Sequence, residues 1–161
     1  MSLLDWILPD DGPRFRPPGE ADSLILRAAH GCPWNRCTFC GMYKDIPYRA
    51  VPEAEFAAAA ARAARQWPDV TRIFLADGDV MGLPASRLAS MLRLLGDLFP
   101  ALTRVNLYAN GSSILAKSRE ELAELKSLKL HTLYLGLESG DETVLRRVHK
   151  RETAAEMADA G

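Results

Sequence analysis

The amino-acid sequence predicts an α/β fold, built as a partial parallel (β/α) barrel of about four β/α units. Four short apolar segments alternate along the 161 residues with segments that carry helix signals. The apolar segments have no clean in–out alternation, which is typical of strands buried on both faces. Strands that alternate with helices are joined by right-handed crossovers, so we expect a parallel sheet.

The four predicted strands share a pattern, since polar residues or glycine follow each apolar run. In chain order they span residues 23–29, 71–76, 103–109 and 131–137. Residues 46–50, which follow the first strand at some distance, are expected to be irregular. Five helices are predicted from prolines, capping patterns and apolar spacing. They begin at Pro52, at Pro84, at Ser118 with Glu121, at Asp141, and at Thr153 with Glu156.

The two ends of the sequence differ from this regular middle. Residues 1–22 are rich in proline and glycine, which predicts an extended N-terminal arm without regular elements. Residues 23–161 are predicted to form the N-terminal part of a (β/α) barrel. Four strands cannot close an eight-stranded barrel, so we expect a truncated chain; a short free-standing α/β domain is the alternative.

The overall composition excludes several classes of protein. The net charge is −1, with 48% hydrophobic and 25% charged residues, which gives no clear nucleic-acid signature. No apolar run approaches the length of a membrane span. Residues 1–10 do not have the basic start and apolar core of a signal peptide. We therefore expect a cytoplasmic protein with no membrane partner.

All three cysteines of the chain fall within nine residues: Cys32, Cys37 and Cys40. Without an export signal, clustered cysteines indicate metal or redox chemistry more often than disulfides. The loop follows the first predicted strand, and loops at the carboxyl ends of parallel strands form the active-site face. Three thiolates leave one position of a metal site open for a ligand. A structural zinc site would need a fourth ligand, for which His30 is the nearest candidate.

Two further patterns have competing interpretations. Asn110 follows the third strand on the same face as the cysteines, and either an Asn-Gly turn or a polar contact to a ligand explains it. The basic run Arg146, Arg147 and Lys150 is expected to be a solvated helix face.

A strand followed by a three-cysteine loop, with the aromatic Phe39 directly before the last cysteine, resembles the radical SAM enzymes. The resemblance continues in residues 41–44 (GMYK), 77–79 (DGD) and 136–140 (GLESG). It covers roughly residues 24–161. It is nearest to the branch that includes tRNA methylthiotransferases and many uncharacterised iron–sulfur oxidoreductases.

This resemblance implies a 4Fe–4S cluster held by the three cysteines, with the fourth iron chelating S-adenosylmethionine (SAM). Phe39 would pack near the adenine. Asp77, Gly78 and Asp79 stand where many members use Gly-Gly-Glu to receive the SAM amino group. Glu138 would contact the ribose or the amino-acid part of SAM, and the Asn110 alternative of a ligand contact would also be met by SAM.

The predicted function is therefore a radical SAM enzyme or its N-terminal half, an oxidoreductase or transferase of unknown substrate. Reductive cleavage of SAM would give a 5′-deoxyadenosyl radical that abstracts hydrogen from the substrate. The resemblance also implies an external electron donor such as a flavodoxin or ferredoxin. Two alternatives stay open, namely a structural zinc module without catalysis and an inactive barrel fragment that pairs with a partner or oligomerises.

Overall fold

A computed structural model of the protein describes residues 14–161. Its strands are β1 Leu24–Arg27, β2 Ala29–His30, β3 Arg49–Ala50, β4 Arg72–Ala76, β5 Arg104–Ala109 and β6 Leu130–Leu135. Four of them form a parallel main sheet in the order β1-β4-β5-β6, which confirms the predicted α/β class with a parallel sheet. A second, antiparallel sheet joins β2 to β3.

Residues 14–161 contain six α-helices, and one of them was not predicted. It is the short helix α3, Gly111–Leu115, which begins directly after Asn110, where the sequence pattern indicated a turn. Pro52 and Pro84 lie at the N-caps, so each of those helices begins one residue after its proline. The helices are α1 Glu53–Gln66, α2 Ala85–Leu98, α3 Gly111–Leu115, α4 Arg119–Ser127, α5 Glu142–Arg147 and α6 Ala154–Ala160.

Both predicted capping boxes are confirmed. The Ser118 hydroxyl accepts a hydrogen bond from the Glu121 backbone N–H, and the Glu121 carboxylate accepts one from the Ser118 N–H. Thr153 and Glu156 make the same reciprocal pair at the start of α6. Each pair satisfies backbone donors that the first helical turn leaves without partners. The pattern therefore locates these helix starts to the residue.

The two faces of the parallel sheet are buried in different ways. One face packs against the helices through the large apolar core, to which Leu26, Leu75 and Leu107 belong. The opposite face carries a small cluster formed by Ile25, Phe74 and Ala76, with Tyr108 and Tyr134 packed against it. Neighbouring residues of one strand point to opposite faces, which explains why these strands are apolar without alternation.

Part of the predicted arm, residues 1–13, lies outside the described residues. The remainder differs from the expectation, because Pro18–Glu20 forms one turn of 3-10 helix and Glu20 is buried. The fixed backbone angle of Pro18 suits the first position of such a turn. Hydrogen bonds from the main sheet then hold the Glu20 carboxylate. Within residues 14–161, no helix has the length and hydrophobicity needed to cross a membrane.

Candidate functional site

A cavity of about 340 Å³ lies at the carboxyl ends of the parallel strands, between the cysteine loop and the segments that follow β4, β5 and β6. Asp77 and Asp79 are the two predicted site residues that do not line it. The other seven do: Cys32, Cys37, Phe39, Cys40, Gly78, Asn110 and Glu138. The structure therefore brings most of the predicted residues to one place, although they come from distant parts of the chain.

The cysteine loop begins at Gly31, where the backbone has a φ of +73°. A Cβ atom there would lie 2.7 Å from the backbone oxygen of Ile46, so only glycine fits this position without strain. The Gly31 carbonyl accepts a hydrogen bond of 3.0 Å from the Gly78 N–H. The cysteine loop is thereby attached to the loop after β4.

Further hydrogen bonds hold the middle of the cysteine loop. The Trp34 indole N–H donates to the His149 carbonyl at 2.7 Å, and the Thr38 N–H donates to the Val148 carbonyl at 3.0 Å. The Lys44 ammonium donates to the Cys37 carbonyl at 2.9 Å. The loop that carries the cysteines is therefore fixed to the segment between α5 and α6, as well as to β4.

All three cysteines are free thiols with intermediate exposure. Burial raises the pKa of the Cys37 thiol, the nearby Lys150 charge opposes that rise, and the Cys32 and Cys40 thiols add to it. Within residues 14–161, no three His, Cys, Asp or Glu side chains converge on a single metal position. A cubane cluster requires a different arrangement, because each cysteine binds a different iron around a shared cavity.

Gly78 lies where the cysteine loop and the loop after β4 approach most closely. A Cβ atom at Gly78 would lie 2.7 Å from the Cβ of Cys32 and 2.9 Å from the ring of Tyr43. Tyr43 is itself buried, and its ring meets Phe15 edge-on at 5.6 Å. Glycine at this position therefore lets Cys32 and Tyr43 occupy the cavity wall together.

Asp77 does not line the cavity and has partners within the protein. One carboxylate oxygen accepts a hydrogen bond of 3.2 Å from the Gly31 N–H and lies 3.3 Å from Nε of Arg27. The residue is buried and has a φ of +101°, a conformation that residues other than glycine seldom adopt. Asp77 therefore holds the base of the cysteine loop, and its assignment to the SAM amino group stays a prediction.

Asp79 is buried as well and joins the loop after β4 to the start of α3. Its carboxylate accepts hydrogen bonds from the Asn110 N–H at 3.2 Å, the Asn110 side-chain amide at 3.2 Å and the Ser113 hydroxyl at 2.6 Å. Burial raises the pKa of Asp79, and these hydrogen bonds oppose the rise. Asp79 thus positions Asn110 at the cavity, and its own contact with SAM also stays a prediction.

Two opposite charges line the same part of the cavity, Glu138 and Lys150. The Lys150 side chain is only 6% exposed and lies 3.8 Å from the buried Glu152 carboxylate. The expectation of a solvated basic run holds for Arg146 and Arg147, which are exposed, but it is wrong for Lys150. The chain leaves α5 after Arg147, so Lys150 no longer belongs to the solvent-facing side of that helix.

Three tyrosines of the cavity wall, Tyr43, Tyr108 and Tyr134, were not predicted. Residues two apart in a strand share a face, and this spacing was a usable signal for Tyr108, which lies on the face opposite Leu107. His30, the fourth ligand considered for zinc, lies in β2 paired with Arg49 and does not line the cavity. Among the described residues that line the cavity, Glu138 carries the carboxylate.

Residues 26–160 match the family model of the Radical SAM superfamily, which is most of the chain. The chain belongs to the radical SAM superfamily. No curated protein matches the sequence. The cofactors of radical SAM enzymes are a 4Fe–4S cluster and SAM, and the chemistry of the three thiols on one cavity suits the first of them.

Solved structures resemble the chain in fold. The cobalamin-dependent SAM radical enzyme OxsB superposes with a TM-score of 0.64 at 21% identity, over 84% of this chain and 21% of that one. Methylornithine synthase (PylB) gives 0.59 at 12% identity, over 84% and 39%. HydG, a maturase of the FeFe-hydrogenase, gives 0.52 at 15% identity, over 85% and 32%. The chain thus spans between about a fifth and two fifths of these proteins, and their fold confirms the predicted partial barrel.

Proposed function

We propose that this chain forms the cofactor-binding part of a radical SAM enzyme, in which Cys32, Cys37 and Cys40 hold a 4Fe–4S cluster. The observation that carries the proposal is their position, since all three line one cavity at the carboxyl ends of the parallel strands. With three protein ligands, one iron keeps an open position for another molecule. The cavity extends from the cysteines to Glu138 and Lys150, which leaves room for SAM beside the cluster.

The residues of this chain fit both cofactors. Three thiols on one loop supply soft ligands of the kind that iron–sulfur clusters need. The buried Tyr43 hydroxyl lies near Cys32 and Cys40 and has no hydrogen-bond partner within the described residues. A buried hydroxyl without a partner costs free energy, so the wall beside the cysteines carries an unsatisfied polar atom in the folded chain.

The opposite charges of Glu138 and Lys150 suit the two ends of an amino acid. SAM carries an ammonium and a carboxylate on its methionyl part, and charge-assisted hydrogen bonds to such groups are strong. We assign the ammonium to Glu138 and the carboxylate to Lys150. Phe39, which is 53% exposed at the cavity, offers an apolar face to the adenine.

Held by Cys32, Cys37 and Cys40, a reduced cluster would supply the electron for reductive cleavage of SAM, the chemistry that radical SAM enzymes use for hydrogen abstraction. The chain itself binds, orients and shields these groups from water. Asp77 and Asp79 do so indirectly, because they fix the cysteine loop and Asn110. The wider proposal includes an unknown substrate, an external flavodoxin or ferredoxin as electron donor, and a cytoplasmic location.

Metal analysis of the chain after anaerobic reconstitution with iron and sulfide tests this proposal. We expect about four irons per chain and the absorption of an iron–sulfur cluster. Replacing Cys37 with alanine should abolish stable loading, whereas Thr38→Ala, an exposed neighbour in the same loop, should load as the wild type does. Stoichiometric zinc with no iron–sulfur absorption would instead support the structural zinc module.

A further inference from the structure

The segment before β1 contains a buried carboxylate with an unusual number of hydrogen bonds. Glu20 is 2% exposed. One of its oxygens accepts hydrogen bonds from the Asn106 side-chain amide at 2.7 Å and the Tyr134 hydroxyl at 2.6 Å. The other accepts one from the Ser23 hydroxyl at 2.5 Å. Burying a charge is unfavourable unless it is well bonded, so three donors around one carboxylate indicate a specific role.

The electrostatics agree that Glu20 is ionised in the folded protein. Burial acts to raise the pKa of Glu20, but the hydrogen bonds from Ser23, Tyr134 and Asn106 and the charge of Arg104 lower it below its ordinary value. The Asn106 amide is also fixed in orientation, because its oxygen accepts a hydrogen bond of 3.0 Å from the Thr132 N–H.

Of the three side chains that donate hydrogen bonds to Glu20, Tyr134 is the one that lines the cavity. The rings of Phe74 and Tyr108 meet Tyr134 edge-on with centroids 6.0 and 6.2 Å away. A phenol ring held by its hydroxyl at one end and by aromatic neighbours along its sides has little freedom to rotate. Glu20 therefore determines the position of one wall of the cavity.

The same segment contacts a second wall of the cavity. Phe15 packs edge-on against Tyr43 with the ring centroids 5.6 Å apart. The Arg16 guanidinium donates a hydrogen bond of 3.2 Å to the Ser23 carbonyl, which ties the two ends of the segment together. Residues 15–23 thus contact both Tyr43 and Tyr134, two residues that lie on the cavity with the cysteines.

We propose that Glu20 is a positioning residue of the SAM-binding cavity, acting through Tyr134. This inference rests on the proposed function, since SAM is the ligand whose binding reports the position of the wall. It makes a carboxylate before the first strand a determinant of cofactor affinity, in addition to its contribution to stability.

Three variants separate positioning from stability. Tyr134→Phe removes the hydrogen bond that reaches the cavity and keeps the ring. Ser23→Ala removes a hydrogen bond to the same carboxylate that does not reach the cavity. Glu20→Gln keeps an acceptor oxygen but turns these charge-assisted hydrogen bonds into weaker neutral ones, and Glu55→Gln, an exposed glutamate in α1, controls for the change in charge. Each is reconstituted with the cluster, and SAM binding is measured by equilibrium dialysis beside iron content and thermal stability.

We expect Tyr134→Phe to weaken SAM binding by about tenfold, the scale of one lost hydrogen bond, and Glu20→Gln to weaken it by less, because the amide oxygen still accepts from the Tyr134 hydroxyl; iron content should be unchanged in both. The double variant should bind SAM no more weakly than Tyr134→Phe, because both changes act on the same ring. Ser23→Ala should lower stability yet bind SAM as the wild type and Glu55→Gln do.

Two results would overturn the inference while leaving the proposed function intact. One is wild-type affinity in Tyr134→Phe, a variant that keeps the ring and is expected to fold. The other is equal weakening in Ser23→Ala, which would indicate a purely structural role. A wild-type chain that loads the cluster but binds no SAM would remove the proposed function, and this inference with it.

Discussion

The close approach at Gly78 gives a prediction that the structure allows us to work out in detail. In Gly78→Ala, the new methyl group would lie 2.7 Å from the Cβ of Cys32 and 2.9 Å from the ring of Tyr43. Neither neighbour is the free end of a flexible side chain. Cys32 is attached there to its backbone, and Tyr43 is 1% exposed and packs against Phe15. The methyl group must therefore displace the cysteine loop.

The expected loss in the free energy of unfolding can be taken from overpacked sites in other proteins. Extra methyl groups in close-packed surroundings cost about 1–3 kcal/mol, and we take about 2 kcal/mol for this contact with two neighbours. For a chain of this size, that corresponds to a fall in Tm of about 4–8 °C. Since the displaced loop carries Cys32, a proposed iron ligand, the variant should also retain less iron after reconstitution.

Differential scanning calorimetry and iron analysis test both effects, with Gly96→Ala as the matched control. Gly96 lies inside α2, and an added Cβ would meet nothing within 4 Å. The control should be more stable than the wild type by about 0.5–1 kcal/mol, because alanine favours a helix over glycine, with unchanged iron content. A Gly78→Ala protein with wild-type Tm and iron content would refute the proposed contact between the two loops.

Two more predictions concern charged side chains. The pKa of Glu20 lies below its ordinary 4.5 in the folded protein, so this group adds stability that is present above about pH 4.5 and is lost as the pH falls through the folded pKa. Denaturation at several pH values should therefore show a smaller loss of stability at low pH in Glu20→Gln, and an equal loss in the variant and the wild type would contradict this. Lys150→Met leaves the buried Glu152 without its cation, so the free energy of unfolding measured in urea should fall by about 3 kcal/mol, and SAM binding should weaken. Arg146→Met, which changes an exposed residue, should match the wild type in both measurements.

The elements that local chemistry determines were predictable from the sequence. The strand runs are apolar because both faces of the sheet are buried, and the capping boxes at Ser118 and Thr153 locate helix starts through bonds between residues three apart. The cysteine loop was equally visible, since its residue types and its position after a strand are both local. Residues after the strand ends then met at one cavity, as a parallel sheet requires.

The features that depend on contacts between distant residues were not predictable in the same way. Glu20 meets Tyr134 across 114 positions of the sequence, and the proline-rich pattern around it indicates only an arm. The contacts of the two aspartates within the protein, Asp77 with the Gly31 N–H and Asp79 with Asn110, were not visible in the sequence. Lys150 belongs to a basic run by sequence and to the cavity by structure. In each of these cases the charged side chain is buried, and a sequence shows that a residue is charged but not that it is buried.

The function that we propose depends most on whether the three cysteines hold a cluster with one open iron beside the cavity. The most direct test is a titration of the reconstituted chain with SAM, followed by its absorption spectrum and by its electron paramagnetic resonance after reduction. We predict a saturable change at about one SAM per cluster. A fully loaded cluster whose spectra do not respond to SAM would mean that no iron is open to it, and would contradict the account.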